Sequence, residues 1–276
     1  MRITSLHNAL VKHARKLRDK GYRDTTALFL IEGFRELSRA HTQGIALAHL
    51  FFCPECFLGS NEGKLVDALN QQGVILIQCS EEVFAKLSYR DRPDGLLAIA
   101  YQWKLEVDTL LAQAPEHACC IVTEAIEKPG NLGSILRSAD AAGVLCCLLA
   151  NSCTDMYNPN VVRASVGALF TVPVAQGSTE EILHTLRRHR FRILATTPHA
   201  VTSYHHLDLT GRIALVVGAE QYGLSETWLQ AAELSARIPM YGQVDSLNVA
   251  VATTLVLYEI MRQNEIVNTN NRGGHA

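Results

Sequence analysis

The chain has 276 residues, of which 48% are hydrophobic and 19% are charged. This balance is typical of a globular protein long enough for two domains, and no apolar run reaches the roughly 18 residues of a membrane span. The formal net charge of −2 is unevenly distributed, because the first 40 residues hold nine Lys or Arg against four Asp or Glu. The basic segment favours a polyanionic partner at one end of the molecule, although a solvated helix face would have the same composition.

The eight cysteines indicate reduced thiols. Two adjacent pairs, Cys119-Cys120 and Cys146-Cys147, lie in strand-like apolar runs, where neighbouring side chains point to opposite faces. This placement favours buried thiols over a disulfide framework, so we expect a cytoplasmic protein in a reducing environment. Cys53-Pro-Glu-Cys56 has the spacing of a metal knuckle, but no second pair follows at comparable spacing, and we expect no metal site.

The first part of the chain alternates strand-like and helix-like patterns. Apolar residues recur at helical spacing from Ile3 to Leu17, which favours a structural element over a transit peptide. The alternation predicts an α/β domain over 1–103 with a largely parallel sheet, followed by a linker over 104–116. Strands are predicted at 29–33, 47–52, 74–78 and 95–103, with helices at 61–72 and 80–87.

A second series of elements predicts another α/β domain over 117–266. The polar, Gly-containing segment 267–276 is expected to be disordered. Strands are predicted at 119–124, 144–150, 172–174, 191–197, 212–218 and 236–240, with helices after the loop at 127–131 and at 160–169, 179–189, 225–235 and 248–262.

The stretch EKPGNLGSILR (127–137) joins a predicted strand to a helix and contains glycines and polar side chains that helix packing does not require. Its two glycines allow a backbone to approach a ligand closely, and Asn131 offers both a donor and an acceptor. The glycine spacing matches neither a dinucleotide-binding fingerprint nor a phosphate-binding loop. Arg137 lies about one turn into the helix, where a surface ion pair with Asp140 would also account for it.

Two later loops also combine glycine with polar side chains where a strand ends. Glu220 lies in GAEQYGLSE (218–226). Two interpretations fit this position: a carboxylate that faces a ligand, or a loop residue in solvent. Ser246 is placed to cap the final helix, and Asn248 falls in its first turn. That helix is apolar nearly all round, which predicts deep burial. Ligands of open α/β sheets bind beyond the carboxyl ends of strands, so all three loops are candidate ligand sites.

Together and in this order, the loops resemble the motifs of the SpoU/TrmH family of RNA ribose 2′-O-methyltransferases, in the SPOUT superfamily. The N-terminal half resembles a subgroup with an L30e-like substrate domain. The resemblance implies an α/β protein in which a smaller L30e-like domain precedes a trefoil-knotted domain with a mostly parallel sheet. The matching segments are NLGSILRSADAAGV (131–144), VVRASVGALFTVPV (161–174), VVGAEQYGLS (216–225) and IPMYGQVDSLNVAVATTLVLYE (238–259), with ITSLHNALVKHARKLRDKGYR (3–23) and LFLIEGFRE (28–36) for the N-terminal domain.

The family motifs imply a methyl donor and a set of site residues. The donor is S-adenosylmethionine, which leaves as S-adenosylhomocysteine. Arg137 would be either the base for the 2′ proton or an electrostatic stabiliser that binds the adjacent phosphate. Many family members have Asn where this chain has Ala219. This difference bears on which substrate is recognised more than on whether the chain is active. The implied catalytic residues are Asn131, Arg137, Glu220, Ser246 and Asn248, and the implied cofactor contacts are Gly218, Ala219, Glu220, Ile238, Met240, Ser246, Leu247 and Val249.

The resemblance also implies partners. RNA is the expected substrate, with rRNA favoured over tRNA because of the N-terminal domain, and no membrane partner is expected. The family is dimeric through the knotted domain, with catalytic groups contributed across the interface. RNA contacts are expected from Lys12, Arg15, Lys16, Arg18 and Arg23.

Three other functions are compatible with parts of the sequence. A tRNA 2′-O-methyltransferase would carry the same motifs. A noncatalytic RNA-binding protein on the same scaffold would not need the polar side chains of the three loops. A dinucleotide-dependent oxidoreductase is disfavoured because the three-glycine fingerprint is missing.

Overall fold

The structure is a computed structural model that describes the backbone of residues 2–273 and the side chains of residues 2–265. The chain forms two compact units. The N-terminal unit contains the described residues up to Trp103 together with Asp155–Thr171, and the C-terminal unit contains Lys104–Thr154 and the described residues from Val172 onward. The division therefore differs from the predicted one, because residues 155–171 pack within the N-terminal unit.

The strands form one sheet in each unit. The N-terminal sheet has the order β1-β4-β3-β5-β2, and the C-terminal sheet has the order β11-β9-β10-β6-β7-β8. The strands are β1 (Arg2–Ile3), β2 (Leu28–Glu32), β3 (Leu47–Phe52), β4 (Ile75–Cys79), β5 (Leu96–Tyr101), β6 (Ala118–Glu124), β7 (Cys146–Ala150), β8 (Val174–Gly177), β9 (Arg192–Thr196), β10 (Arg212–Val217) and β11 (Leu234–Ala236).

Helices cover both sheets. The helices are α1 (Ala9–Lys16), α2 (Lys20–Thr26), α3 (Phe34–Thr42), α4 (Asn61–Gln71), α5 (Glu81–Leu87), α6 (Val107–Ala112), α7 (Pro129–Ala141), α8 (Pro159–Ser165), α9 (Thr179–Arg188), α10 (Glu226–Ala231) and α11 (Val249–Gly273). The region predicted to be a linker, 104–116, therefore contains α6, whose Val107 and Leu111 are buried in the core of the C-terminal unit.

The N-terminal sheet is mixed rather than largely parallel. Strand β5 lies between β2 and β3 and is antiparallel to both, whereas β4 is parallel to β3 and β1. Alternation of strands and helices along the sequence could not reveal this arrangement, because β2 and β3 are consecutive in the chain but are not neighbours in the sheet.

The C-terminal sheet is parallel throughout. One face carries α6, α9 and α10, and the other carries α7 and α11, so the strands are buried on both sides. Burial on both faces explains their continuous apolar sequences. The predicted fold class, with a mostly parallel sheet in the second domain, is confirmed. Strands β6 and β10 pair at the centre, which brings the loops at their carboxyl ends together.

The last helix differs from its prediction in two ways. It continues through Gly273, because no earlier glycine or proline of 263–272 interrupts it, so residues 267–273 are helical rather than disordered. The rest of the predicted disordered tail, 274–276, lies outside the described residues. The helix is also not buried all round, because Val251, Leu255 and Tyr258 are 48%, 40% and 50% exposed.

Three general features of the described chain concern membranes, disulfides and metals. Over residues 2–273, no helix is long and apolar enough to cross a bilayer. All eight cysteines are free thiols. In the part of the chain with described side chains, no three His, Cys, Asp or Glu residues converge as a metal site would require.

Candidate active site

Three side chains from the three candidate loops meet beyond the carboxyl ends of β6 and β10. Asn131, in the first turn of α7, donates from Nδ2 to Oε1 of Glu220 at 2.6 Å. Asn248, directly before α11, donates from Nδ2 to Oδ1 of Asn131 at 3.0 Å and to Oε1 of Glu220 at 3.1 Å. Residues separated by up to 117 positions in sequence thus form one hydrogen-bonded network.

The backbone of α11 fixes the direction of this network. Oδ1 of Asn248 accepts from the N–H groups of Ala250 at 3.0 Å and Val251 at 3.4 Å, so its NH₂ group must face the other way. Both N–H bonds of that NH₂ group are then used by Asn131 and Glu220. Asn248 is therefore a fully bonded connector, and it caps the helix that Ser246 was predicted to cap. That prediction is wrong because α11 begins at Val249, two residues later than a Ser246 cap requires.

Glu220 is held as a carboxylate by its donors. Nζ of Lys128 contacts Oε2, while Asn131 and Asn248 donate to Oε1. Hydrogen bonds from Lys128 and then Asn131 hold the pKa of Glu220 below its usual value. Glu220 is consequently ionised at neutral pH, where it accepts hydrogen bonds and is a weak base. Lys128 was not predicted, although it lies in the same loop as Asn131.

The loop that carries Glu220 is anchored at both ends. A Cβ on Gly218 would overlap the backbone of Gly223, and Gly223 N–H donates to the carbonyl of Ala219 at 2.9 Å. Buried Glu124, the last residue of β6, accepts from the N–H of Ser225 at 2.8 Å and from its hydroxyl at 2.7 Å. Glu124 was not predicted, although a carboxylate at the end of a buried and largely apolar strand was a signal for it.

The loop between β6 and α7 is also anchored. The hydroxyl of Thr154 lies 2.6 Å from the carbonyl oxygen of Ile126 and 2.8 Å from that of Glu127. Ala125 has a φ of +51°, a left-handed conformation that is unusual for a residue with a Cβ. Both features fix the path by which the chain enters α7 and presents Asn131.

Arg137 and Ser246 lie outside the network. Within residues 2–265, the side chains of Arg137 and Ser246 make no hydrogen bond or ion pair, and both residues are exposed. Arg137 follows Asn131 by six helical positions, which places it about 9 Å along α7 and about 120° around it. The surface ion pair considered for Arg137 is not formed at its guanidinium. One copy of the chain therefore assembles three of the five predicted catalytic residues.

The predicted cofactor contacts lie on the same edge of the C-terminal sheet. Gly218, Ala219 and Glu220 directly follow β10, and Ile238 and Met240 follow β11 with half-buried side chains. Three more residues, Ser246, Leu247 and Val249, run into α11, and of these Leu247 is half-buried and Val249 buried.

The predicted RNA-binding residues of the N-terminal unit fall into two groups. Lys12, Arg15 and Lys16 are exposed on α1. Arg18 is engaged, because it donates to the carbonyl of Leu87 at 2.8 Å and stacks over a tyrosine ring.

Arg23 is the clear correction to that set. It is only 1% exposed, and its guanidinium lies 2.7 Å from the carboxylate of Asp155. The same guanidinium donates to the carbonyls of Leu17 at 2.9 Å and Arg18 at 2.8 Å. Arg23 therefore holds the N-terminal unit together and is not available to RNA.

Comparison with known families identifies the chain. Residues 118–258 match the SpoU rRNA Methylase family, and residues 8–98 match the MRM3-like substrate binding domain. The chain belongs to the SpoU rRNA methylase family. Membership confirms the resemblance drawn from the three loops and, with it, the knotted SPOUT fold with an N-terminal substrate-binding domain.

Relatives of this SpoU family member span nearly its full length. An uncharacterized tRNA/rRNA methyltransferase of Synechocystis sp. is 35% identical, over 95% of this chain and 93% of the relative. The 23S rRNA (guanosine(2553)-2′-O)-methyltransferase RlmP of Bacillus subtilis is 28% identical, over 94% and 98%. The crystal structure of an AdoMet-bound rRNA methyltransferase from Sinorhizobium meliloti superposes with a TM-score of 0.85 at 30% identity, over 95% of this chain and 97% of that one.

Proposed function

We propose that this chain transfers a methyl group from S-adenosylmethionine to a ribose 2′-hydroxyl of 23S rRNA. Full-length similarity to a 23S rRNA 2′-O-methyltransferase and to an AdoMet-bound rRNA methyltransferase supports both the substrate and the donor. The observation that carries the proposal is the network of Asn131, Glu220 and Asn248, which joins three family motifs at one edge of the sheet. We place this activity in the cytoplasm, where the free thiols would remain reduced.

The residues at this edge fit the donor. Half-buried Ile238, Met240 and Leu247 offer apolar surface to an adenine ring, and strand-end backbone groups at Gly218 and Ala219 offer polar contacts. We assign the cofactor contacts to this group, together with Glu220, Ser246 and Val249. When bound, S-adenosylmethionine supplies an electrophilic methyl group on a sulfonium.

The network orients the acceptor sugar. Asn131 keeps one N–H bond of its amide and one lone pair on Oδ1 free after its bonds to Glu220 and Asn248, so it can bind the ribose. Glu220 acts by holding Asn131, since a carboxylate with a lowered pKa is a weak base. Ser246 supplies an unengaged hydroxyl on the neighbouring loop. Alignment of the 2′-oxygen with the donor methyl group then supplies much of the rate enhancement.

Arg137 acts electrostatically. A guanidinium remains protonated in proteins, so an electrostatic role suits Arg137 better than that of a base. Its exposed charge can bind the phosphate next to the target ribose and stabilise developing negative charge on the 2′-oxygen. Turnover retained by Arg137→Lys would support this role over that of a base.

The functional unit is a homodimer. The exposed apolar stripe of α11, formed by Val251, Leu255 and Tyr258 at i, i+4 and i+7, is the surface that a second copy would cover. A dimer would also supply the partner's Arg137 to a network that lacks one within a single copy. RNA would be held in addition by the exposed Lys12, Arg15 and Lys16.

The test is methylation of defined RNA by the purified protein. We expect transfer of radiolabelled methyl from S-adenosylmethionine to 23S rRNA isolated from cells that lack the gene, at a single ribose, with no transfer to tRNA. Mapping of ribose methylation in RNA from cells with and without the gene should identify the same position. The Asn131→Ala variant is the inactive control. Binding of 23S rRNA with no transfer would indicate a noncatalytic RNA-binding protein, and transfer to tRNA alone would overturn the rRNA assignment.

A further inference from the structure

Lys128 occupies a position that is unfavourable for a cation. It is the residue directly before α7, whose first residue is Pro129. The amino end of a helix carries partial positive charge, so a lysine there is repelled by the helix. The side chain is 71% exposed and could extend into solvent, yet its Nζ contacts Oε2 of Glu220. The contact with Glu220 offsets this repulsion.

The contact completes the bonding of the Glu220 carboxylate. Oε1 accepts from Asn131 at 2.6 Å and from Asn248 at 3.1 Å, and Oε2 faces Lys128. A carboxylate can rotate and exchange its two oxygens unless both are bonded. Lys128 is the one charged partner of Glu220 among the described residues, since the groups that face it from α7 and α11 are neutral amides.

We propose that Lys128 is a positioning residue that fixes the orientation and charge of Glu220 and, through it, the amide of Asn131. The inference rests on the proposed function, because the amide of Asn131 is assigned there to the ribose. If Lys128 were absent, Glu220 would lose its nearest cation and its pKa would rise. At neutral pH the carboxylate would stay ionised, but its Oε2 would be unbonded and the orientation of the group would no longer be fixed. At lower pH, protonation would place an O–H where Asn131 and Asn248 need an acceptor.

The test compares Lys128→Met with Lys128→Arg in the full-length protein. Lys104→Met is the matched control, because Lys104 also forms an exposed pair with a glutamate, Glu106, at 3.4 Å. Single-turnover methylation of 23S rRNA would be measured against pH at saturating RNA and S-adenosylmethionine. For Lys128→Met we expect about a tenfold to hundredfold lower rate and a KM for RNA within about twofold of the parent value.

The pH profile separates positioning from a general structural role. The acid limb of the pH–rate profile, where activity falls as Glu220 becomes protonated, should move to higher pH in Lys128→Met. In Lys128→Arg it should lie at the pH of the parent protein. Lys104→Met should match the parent. If Lys128→Met changed neither the maximal rate nor the position of the acid limb, the proposal would be overturned. A raised KM with an unchanged maximal rate would also overturn it, and would identify Lys128 as a phosphate contact instead.

A second readout does not require activity. Titration of the Glu220 carboxyl by carbon NMR, assigned with Glu220→Gln, should show a higher pKa in Lys128→Met than in the parent. If the parent protein transfers no methyl group but this shift is present, the proposed function fails and the positioning role stands. If methyl transfer occurs and the pKa of Glu220 is the same in Lys128→Met and the parent, the positioning role fails and the proposed function stands.

Discussion

The side chain of Asn248 donates to Oδ1 of Asn131 at 3.0 Å and so joins the residue that caps α11 to the first turn of α7. Because Asn248 also accepts from the backbone of α11, the direction of every amide in the site follows from the start of that helix. A single residue thus couples helix formation to the geometry of the site.

These two functions of Asn248 can be separated by substitution. Asn248→Ser keeps a capping oxygen but cannot bridge to Asn131, whereas Asn248→Ala loses both. We expect Asn248→Ala to lose about 1 kcal/mol of stability and Asn248→Ser to lose only a few tenths. Both should lower the single-turnover rate by about 10²-fold, since misplaced groups align poorly. Thermal unfolding and methylation assays would check this, and a parent-like rate for Asn248→Ser would limit Asn248 to capping.

The three loops were predictable because their residues have little reason to occur at strand ends for packing alone. Asn131, Glu220 and Asn248 each follow an apolar run, and a parallel sheet places such loops at one edge. The choice between Ser246 and Asn248 as the helix cap was not predictable, since both are good capping residues and the boundary is set by tertiary contacts. Lys128 was missed because an exposed lysine in a loop has no local signature.

The burial of a charged side chain is the second feature that could not be predicted from the sequence. Arg23 lies among lysines and arginines that are exposed, and its partner Asp155 is 132 positions away. A count of charges cannot separate a surface cation from a buried one when the partner is that remote. The same remoteness explains why residues 155–171 were not expected within the N-terminal unit.

Arg23 should therefore affect stability and not RNA affinity. Removal of one partner of a buried ion pair typically costs about 3–5 kcal/mol, so Arg23→Met should lower the free energy of unfolding by that order. The double variant Arg23→Met/Asp155→Leu should recover part of the loss, because no unpaired charge remains buried. Urea unfolding would measure both variants, with exposed Arg15→Met as the control. A parent-like stability for Arg23→Met would contradict the burial of this pair.

The exposed cations of α1 should contribute to RNA binding through charge. Conversion of Lys12, Arg15 and Lys16 to Gln should reduce the slope of log affinity against log salt by about two, if each contacts one phosphate. Fluorescence anisotropy with an rRNA fragment at several salt concentrations would measure the slope. The control replaces Lys64 and Lys86, which are exposed on α4 and α5. Equal slopes for the two variants would move the RNA surface elsewhere.

Substitution of Gly218 tests whether the cofactor binds at the loop after β10, without altering a polar side chain. In Gly218→Ala the new Cβ would overlap the backbone of Gly223 and displace the loop that carries Ala219 and Glu220. Overpacking of this kind costs about 1–3 kcal/mol, so affinity for S-adenosylhomocysteine should fall by at least about fivefold. Gly242→Ala is the control, because a Cβ there meets no atom within 4 Å. Calorimetric titration would compare the two, and equal affinities would place the cofactor away from this loop.

The separation of Arg137 from Asn131 on α7 leads to a test of the dimer. If the partner's Arg137 completes each site, then Arg137→Ala and Asn131→Ala should each abolish methylation, but a mixed dimer should regain one intact site. Random pairing of the two co-expressed variants would then restore about a quarter of the parent activity, because half of the dimers are mixed and each has one functional site of two. Leu255→Asp, which places a charge in the exposed stripe of α11, should yield a monomer in light scattering and prevent this recovery. Full activity of a monomeric Leu255→Asp, or no recovery in verified mixed dimers, would instead require that Arg137 serves the network of its own chain.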